Sequence, residues 1–202
     1  MTGIESVTVE TPDPAAADAF HAAAFGPATP VRARASEAPA TGFRGFTLSL
    51  VVAQPSTVDA FIGAALDAGA AELKPPKKSL WGYGGVVRGP DGAIWTVASS
   101  SKKDRGPATR EIDEFVLQLG VEDVAASKQF YVERGLEVAK SYGRRYVEFA
   151  TGPVTLTLIK RAALAKVAGV GADRVAPPRL VIVGGLDAVS DPDGFRWEPV
   201  NP

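Results

Sequence analysis

Apolar and polar residues alternate with a period of two over residues 4–11 (IESVTVET), as in a half-buried strand. Asp13 and Pro14 follow, a capping side chain and a residue suited to the first helical position. A helix is therefore predicted through the Ala-rich stretch carrying Phe20, with Gly26 as its stop. Residues 46–52 (FTLSLVV) read as a strand. After Ser56, a predicted cap, apolar residues recur at Val58, Phe61, Ile62, Ala65 and Leu66, the spacing of one helix face, and Gly69 ends the run. Strands are predicted at 71–74, 83–88 and 94–98, completing a β-α-β-β-β unit. The same order is predicted further on: a strand at 114–119, a helix at 124–134 with an Asp cap and Gly135 beyond it, and strands at 136–140, 145–149 and 154–159.

Between these units residues 99–110 (SSSKKDRGPATR) are polar and carry Gly106-Pro107, a linker pattern. The division is 1–100, a linker at 101–110, and 111–202. Halves of similar size prompt a search for a repeat. Residues 75–97 align without gaps on 177–199, and eight of the 23 positions are identical, including Pro-Asp-Gly at 90–92 and 192–194, Trp95 and Trp197. Composition alone gives about one or two matches. Each Pro-Asp-Gly is predicted to turn the chain between the last two strands of its half.

Composition removes several chemistries. The 202 residues include no cysteine and one histidine, His21. Disulfides, thiolate metal sites and a cysteine nucleophile are excluded, and a two-histidine iron site cannot form within one chain. With 22 basic and 23 acidic residues there is no footprint for nucleic acid or anionic lipid. No apolar run reaches membrane-spanning length and the first ten residues do not read as a signal peptide, so a cytoplasmic protein is expected, without nucleic-acid or membrane partners.

The motifs VEDVAASKQFYVERGLEV (121–138), YVEFATGPVTLTLIKRAALAKVAGV (146–170), GFRGFTLSLVV (42–52), VDAFIGAALDAGAAELKPP (58–76) and the two PDG-x-x-W endings resemble the vicinal-oxygen-chelate superfamily. That superfamily contains glyoxalase I, bleomycin-resistance proteins and extradiol dioxygenases. The resemblance implies an α+β fold whose βαβββ modules form an open, barrel-like mixed sheet with helices packed outside. The module order looks rearranged. Residues 42–99 resemble a second module and 112–160 a first module, while the chain ends resemble a shortened first module and a second module without its helix. A tandem duplication that lost a different half from each copy implies that the intact modules build one cleft and the end pieces pair with each other.

Metal-dependent members carry His or Gln on a module's first strand and Glu on its last. Those positions fall here on Ser6, on Phe46 and Thr96, on Glu114 or Val116 with Gln118 on the same face and Thr155 and Thr157 on the last strand, and on Glu198 after Trp197. Only Glu114 and Glu198 are then metal-ligand candidates, for a divalent ion such as Mg²⁺ or Mn²⁺. The alternative reading of Glu198 is a solvated strand-end charge. His21, beside Phe20 as Tyr131 is beside Phe130, reads as a packing or surface residue.

The resemblance implies a small organic molecule as ligand in an aromatic-lined cleft, with Phe46, Trp81, Tyr83, Trp95, Tyr146 and Trp197 as candidate contacts. An aromatic on a strand is more often core, which is the alternative reading of Trp81 and Tyr83. Arg144 and Arg145 beside Tyr146 read as an anion clamp or as solvated hairpin charges, and Lys77-Lys78 as surface. No cofactor is expected. The alternatives are a metal-dependent lyase, isomerase or dioxygenase with a carboxylate-only site, and a non-catalytic interaction protein with a filled cleft. By resemblance a homodimer is an open expectation.

Overall fold

The strand alternation of the first residues is realised in β1 (Ile4–Thr11), whose Ile4, Val7 and Val9 are buried. The computed structural model describes residues 3–37, 42–173 and 177–200. Asp13 caps α1 (Pro14–Phe25), its carboxylate accepting from the Ala16 N–H at 3.0 Å. The next elements are β2 (Val31–Ala35), which the sequence pattern did not predict, and β3 (Phe46–Val51). Helix α2 (Pro55–Asp67) starts one residue before the expected cap, because Pro55 lacks an N–H and its fixed φ suits the first helical position. The Ser56 N–H is met instead by Asp104 of the linker, at 2.7 Å. Then come β4 (Ala71–Ser79), β5 (Gly82–Arg88), β6 (Ile94–Ser99), β7 (Glu114–Val121), α3 (Val124–Val132), β8 (Val138–Ser141), β9 (Tyr146–Phe149) and β10 (Val154–Lys160). Helix α4 (Arg161–Ala168), also unpredicted, precedes β11 (Leu180–Gly184), β12 (Val189–Ser190) and β13 (Arg196–Pro199).

The strands form two mixed sheets in an α+β fold, and neither sheet closes into a barrel. One has eight strands in the order β4-β5-β6-β3-β7-β10-β9-β8. The two intact modules meet in its middle, where β3 and β7 run antiparallel with Thr47 opposite Gln118 and Ser49 opposite Val116. The second sheet, β12-β13-β11-β1-β2, is made only of the end pieces, joined by β1 against β11. The rearranged order therefore yields one complete two-module sheet and one abbreviated sheet beside it.

The repeated Pro-Asp-Gly-x-x-Trp segments have the same structural use. Gly92 and Gly194 adopt φ of 79° and 86°, a left-handed turn conformation that suits glycine. Trp95 and Trp197 are both buried beneath a helix. Trp95 stacks on Phe25 of α1 at 4.0 Å, and Trp197 lies 5.8 Å from Tyr131 of α3. The helices also hold the turns: His21 Nε2 is 2.9 Å from Asp91 Oδ2, and the Tyr131 hydroxyl donates to Asp191 at 2.7 Å. His21 is thus a buried packing residue.

Helix α4 lies on the opposite face of the eight-stranded sheet from α1, α2 and α3. Leu164, Ala165 and Ala168 pack with Phe43, Val86 and Ile94. The helix crosses above Gly120, where a Cβ would come within 3.2 Å of Leu164 Cδ2. Lys74 donates to the Lys166 and Val167 carbonyls at 2.6 Å, meeting the unsatisfied acceptors at the helix end.

Candidate functional site

The strand period of two sorts each central strand into a core face and a cleft face. Phe46, Leu48 and Leu50 of β3, Phe115, Leu117 and Leu119 of β7, and Leu156 and Leu158 of β10 are core residues. Ser49, Thr96, Val116, Gln118, Thr155 and Thr157 line the other face, the floor of a cleft of about 540 Å³. Its rim includes Lys77 of β4, Tyr146 and Glu148 of β9, Glu114 of β7 and Val167 of α4.

Strand register aligns a polar row across five strands. Thr47 faces Gln118, Gln118 faces Thr157, Thr157 faces Glu148, and Glu148 faces Lys140. Gln118 Oε1 accepts from the Thr47 hydroxyl at 2.9 Å and the Ser49 hydroxyl at 3.0 Å. Ser49 is bonded in turn to Thr96. With its oxygen occupied on the β3 side, Gln118 keeps its amide N–H groups for the cleft. The Thr157 hydroxyl, on a residue 1% exposed, has no hydrogen-bond partner among the described residues. Glu148 accepts from Tyr146 at 2.8 Å and pairs with Lys140 at 2.9 Å. Burial and then the neighbouring Glu148 push the Tyr146 hydroxyl well above its ordinary range, so it is a neutral donor.

The expected contacts separate into groups. Phe46, Trp95 and Trp197 are sealed in the core and present nothing to the cleft. For Phe46 the difference is one residue: Thr47 and Ser49 occupy the cleft face of that strand, and a one-residue slip exchanges the faces. Trp81 is 85% exposed in the β4–β5 turn and does not line the cleft. Tyr83 is half-buried and donates to Asp59 at 2.9 Å. Tyr146 does line the cleft. Arg144 reaches Asp123 at 3.3 Å instead of joining an anion clamp. Lys77 is exposed, as expected, and also lines the cleft rim. Glu148 and Lys140 were missed, although the alternation of YVEF puts Glu148 on the face of Tyr146.

Glu114 and Glu198 stand on different sheets. Glu114 lies at the cleft edge and accepts from the Thr155 hydroxyl at 2.5 Å. Glu198 takes two hydrogen bonds from Arg34 Nη1, at 3.0 and 3.1 Å. Arg34 also bonds Glu10, and Arg196 pairs with the same carboxylate. On the abbreviated sheet a guanidinium therefore occupies the carboxylate that matches the superfamily's ligand. On the cleft floor the donors are neutral hydroxyls and an amide. Among the described residues no three His, Asp or Glu side chains cluster to hold a metal. The carboxylates of the cleft, Glu114 and Glu148, stand at its rim, and each accepts from a neighbouring hydroxyl.

Solved structures similar in fold include a glyoxalase I variant from Zea mays, similar over 98% of this chain and 93% of its own at 11% identity, with a TM-score of 0.63. A putative dioxygenase from Bacillus subtilis subsp. subtilis str. 168 is similar over 90% of this chain and 69% of its own at 11% identity, with a TM-score of 0.55. The fold is shared with these glyoxalase I and putative dioxygenase structures, as the sequence motifs implied. No family model and no curated protein matches the sequence. Among the described residues no helix is long and apolar enough to cross a membrane.

Proposed function

We propose that this protein binds a small organic molecule in the cleft of the eight-stranded sheet, through hydrogen bonds and apolar contact and without the metal chemistry of glyoxalase I. The observation that carries this reading is an open cleft of about 540 Å³ over a floor of neutral polar groups, Ser49, Thr96, Gln118 and Thr157. A concave site with few convergent polar groups favours an uncharged organic ligand. Side chains leave the cleft open, which argues against an interaction protein with a filled cleft.

Metal analysis of the purified chain, paired with thermal-shift screening of phenols and carboxamides, tests the reading. Expected are a ligand-induced rise in Tm that is lost in Thr96→Trp, which fills the floor, and no stoichiometric divalent metal. Stoichiometric Mn²⁺, Fe²⁺, Ni²⁺ or Zn²⁺ that disappears in Glu114→Gln or Glu198→Gln overturns it in favour of a carboxylate-held metal site. A Tm rise that persists in Thr96→Trp removes the cleft as the binding site.

A further inference from the structure

A second and larger hollow, of about 910 Å³, opens beside the cleft. Its walls include Ala22, Ala28, Ile112 and Pro153, and it shares Glu114 and Thr155 with the cleft. Those two residues, hydrogen-bonded to each other, form a common lip. One wall is the segment 26–30 that leaves α1, so the N-terminal piece builds it and not the two intact modules. Arg110 stands on its rim, held by the Ala24 carbonyl at 2.8 Å and lying over the Phe61 ring at 4.5 Å.

We infer that the two hollows are one extended site, and that the ligand is an amphipathic molecule with an uncharged hydrogen-bonding head in the cleft and an apolar arm passing the Glu114–Thr155 lip. This rests on the cleft reading above. The head is chosen by the neutral floor, where Gln118 offers N–H groups and the Thr157 hydroxyl is unpartnered at 1% exposure. The arm is chosen by continuity through the shared lip and by the Ala, Ile and Pro walls beyond it. The charged side chains Lys77, Glu114 and Glu148 stand at the rim, so the floor itself offers a head no counter-ion.

Calorimetric titration of the full chain with para-cresol and para-pentylphenol tests this. The two probes share a head and differ by four methylenes. The longer probe is expected to bind roughly tenfold or more tightly. Ala22→Trp and Ala28→Trp, both at exposed positions in the second hollow, are expected to bring its affinity to within about twofold of para-cresol while leaving para-cresol unchanged. Circular dichroism of each variant checks that it folds. Absence of a length effect, or one that survives both plugs, overturns the extended site alone, provided that para-cresol binding is lost in Thr96→Trp. Para-cresol binding that persists in Thr96→Trp, or no binding of either phenol to the native chain, overturns the cleft reading beneath it.

Discussion

At the scale of single residues, the abbreviated sheet is held by charge. Burial works against the carboxylate of Glu10, but Arg34 and Arg196 outweigh it and hold the pKa below the ordinary 4.5. The folded chain then releases this proton more readily than the unfolded one. The stability gained is full above the ordinary value and is lost as pH falls through the depressed one. Glu10→Gln is expected to cost about 1 kcal/mol at neutral pH, a modest figure because both arginines are partly exposed. The variant also loses less stability on acidification below 4.5, as urea unfolding across a pH series will show. Asp191 behaves oppositely. Burial raises its pKa, against the pull of the Tyr131 hydroxyl and the Phe195 N–H, so acid relieves a cost there. Tyr131→Phe removes that buried donor and is expected to destabilise by about 1–3 kcal/mol in denaturant titration. The position of Glu198 was legible from its offset behind Trp197. Its partner was not, because Arg34 lies 164 residues away and no local pattern links them.

At the scale of elements, legibility followed local patterning. Helix α1 has its own cap and a proline at its start, and α2 has an apolar stripe, so both were readable. Helix α4 has neither a capping side chain nor a run long enough to stand out. What fixes it is tertiary: its small apolar face on Phe43, Val86 and Ile94, Lys74 on its last carbonyls, and the missing side chain at Gly120. Gly120→Val would force a branched side chain against Leu164 and the Gly45 carbonyl. A loss of about 1–3 kcal/mol is expected. Because Val167 lines the cleft, probe binding should weaken in the same variant. Thermal melts with and without para-cresol check both outcomes. The linker also does more than its composition announced, since Asp104 meets the first free N–H of α2. Asp104→Ala is expected to cost about 0.5–2 kcal/mol, measurable by urea unfolding.

At the scale of the molecule, the halves recognised in the sequence are interleaved. The helix of the N-terminal piece covers Trp95, which belongs to the eight-stranded sheet. Helix α3, of the intact module at 112–160, covers Trp197, which belongs to the abbreviated one. One apolar cluster runs through both sheets, from Val7 and Ile182 to Leu48 and Leu117. The repeat made a pairing of modules legible. Which strands pair was beyond it, because register is set by contacts between distant segments. Interleaving predicts how the chain unfolds. If each sheet carried its own core, the abbreviated sheet would melt first, being smaller and held partly by exposed ion pairs. A shared core instead couples them, because loss of α1 uncovers Trp95 in one sheet as it removes the chain between β1 and β2 from the other. Urea unfolding is therefore expected to be a single transition, with equal midpoints for a chain whose only core tryptophan is Trp95 (Trp81→Phe, Trp197→Phe) and for one retaining only Trp197 (Trp81→Phe, Trp95→Phe), each measured against its own far-ultraviolet circular dichroism. Within either variant, a tryptophan signal that departs from the circular dichroism curve would mean that the sheets unfold separately.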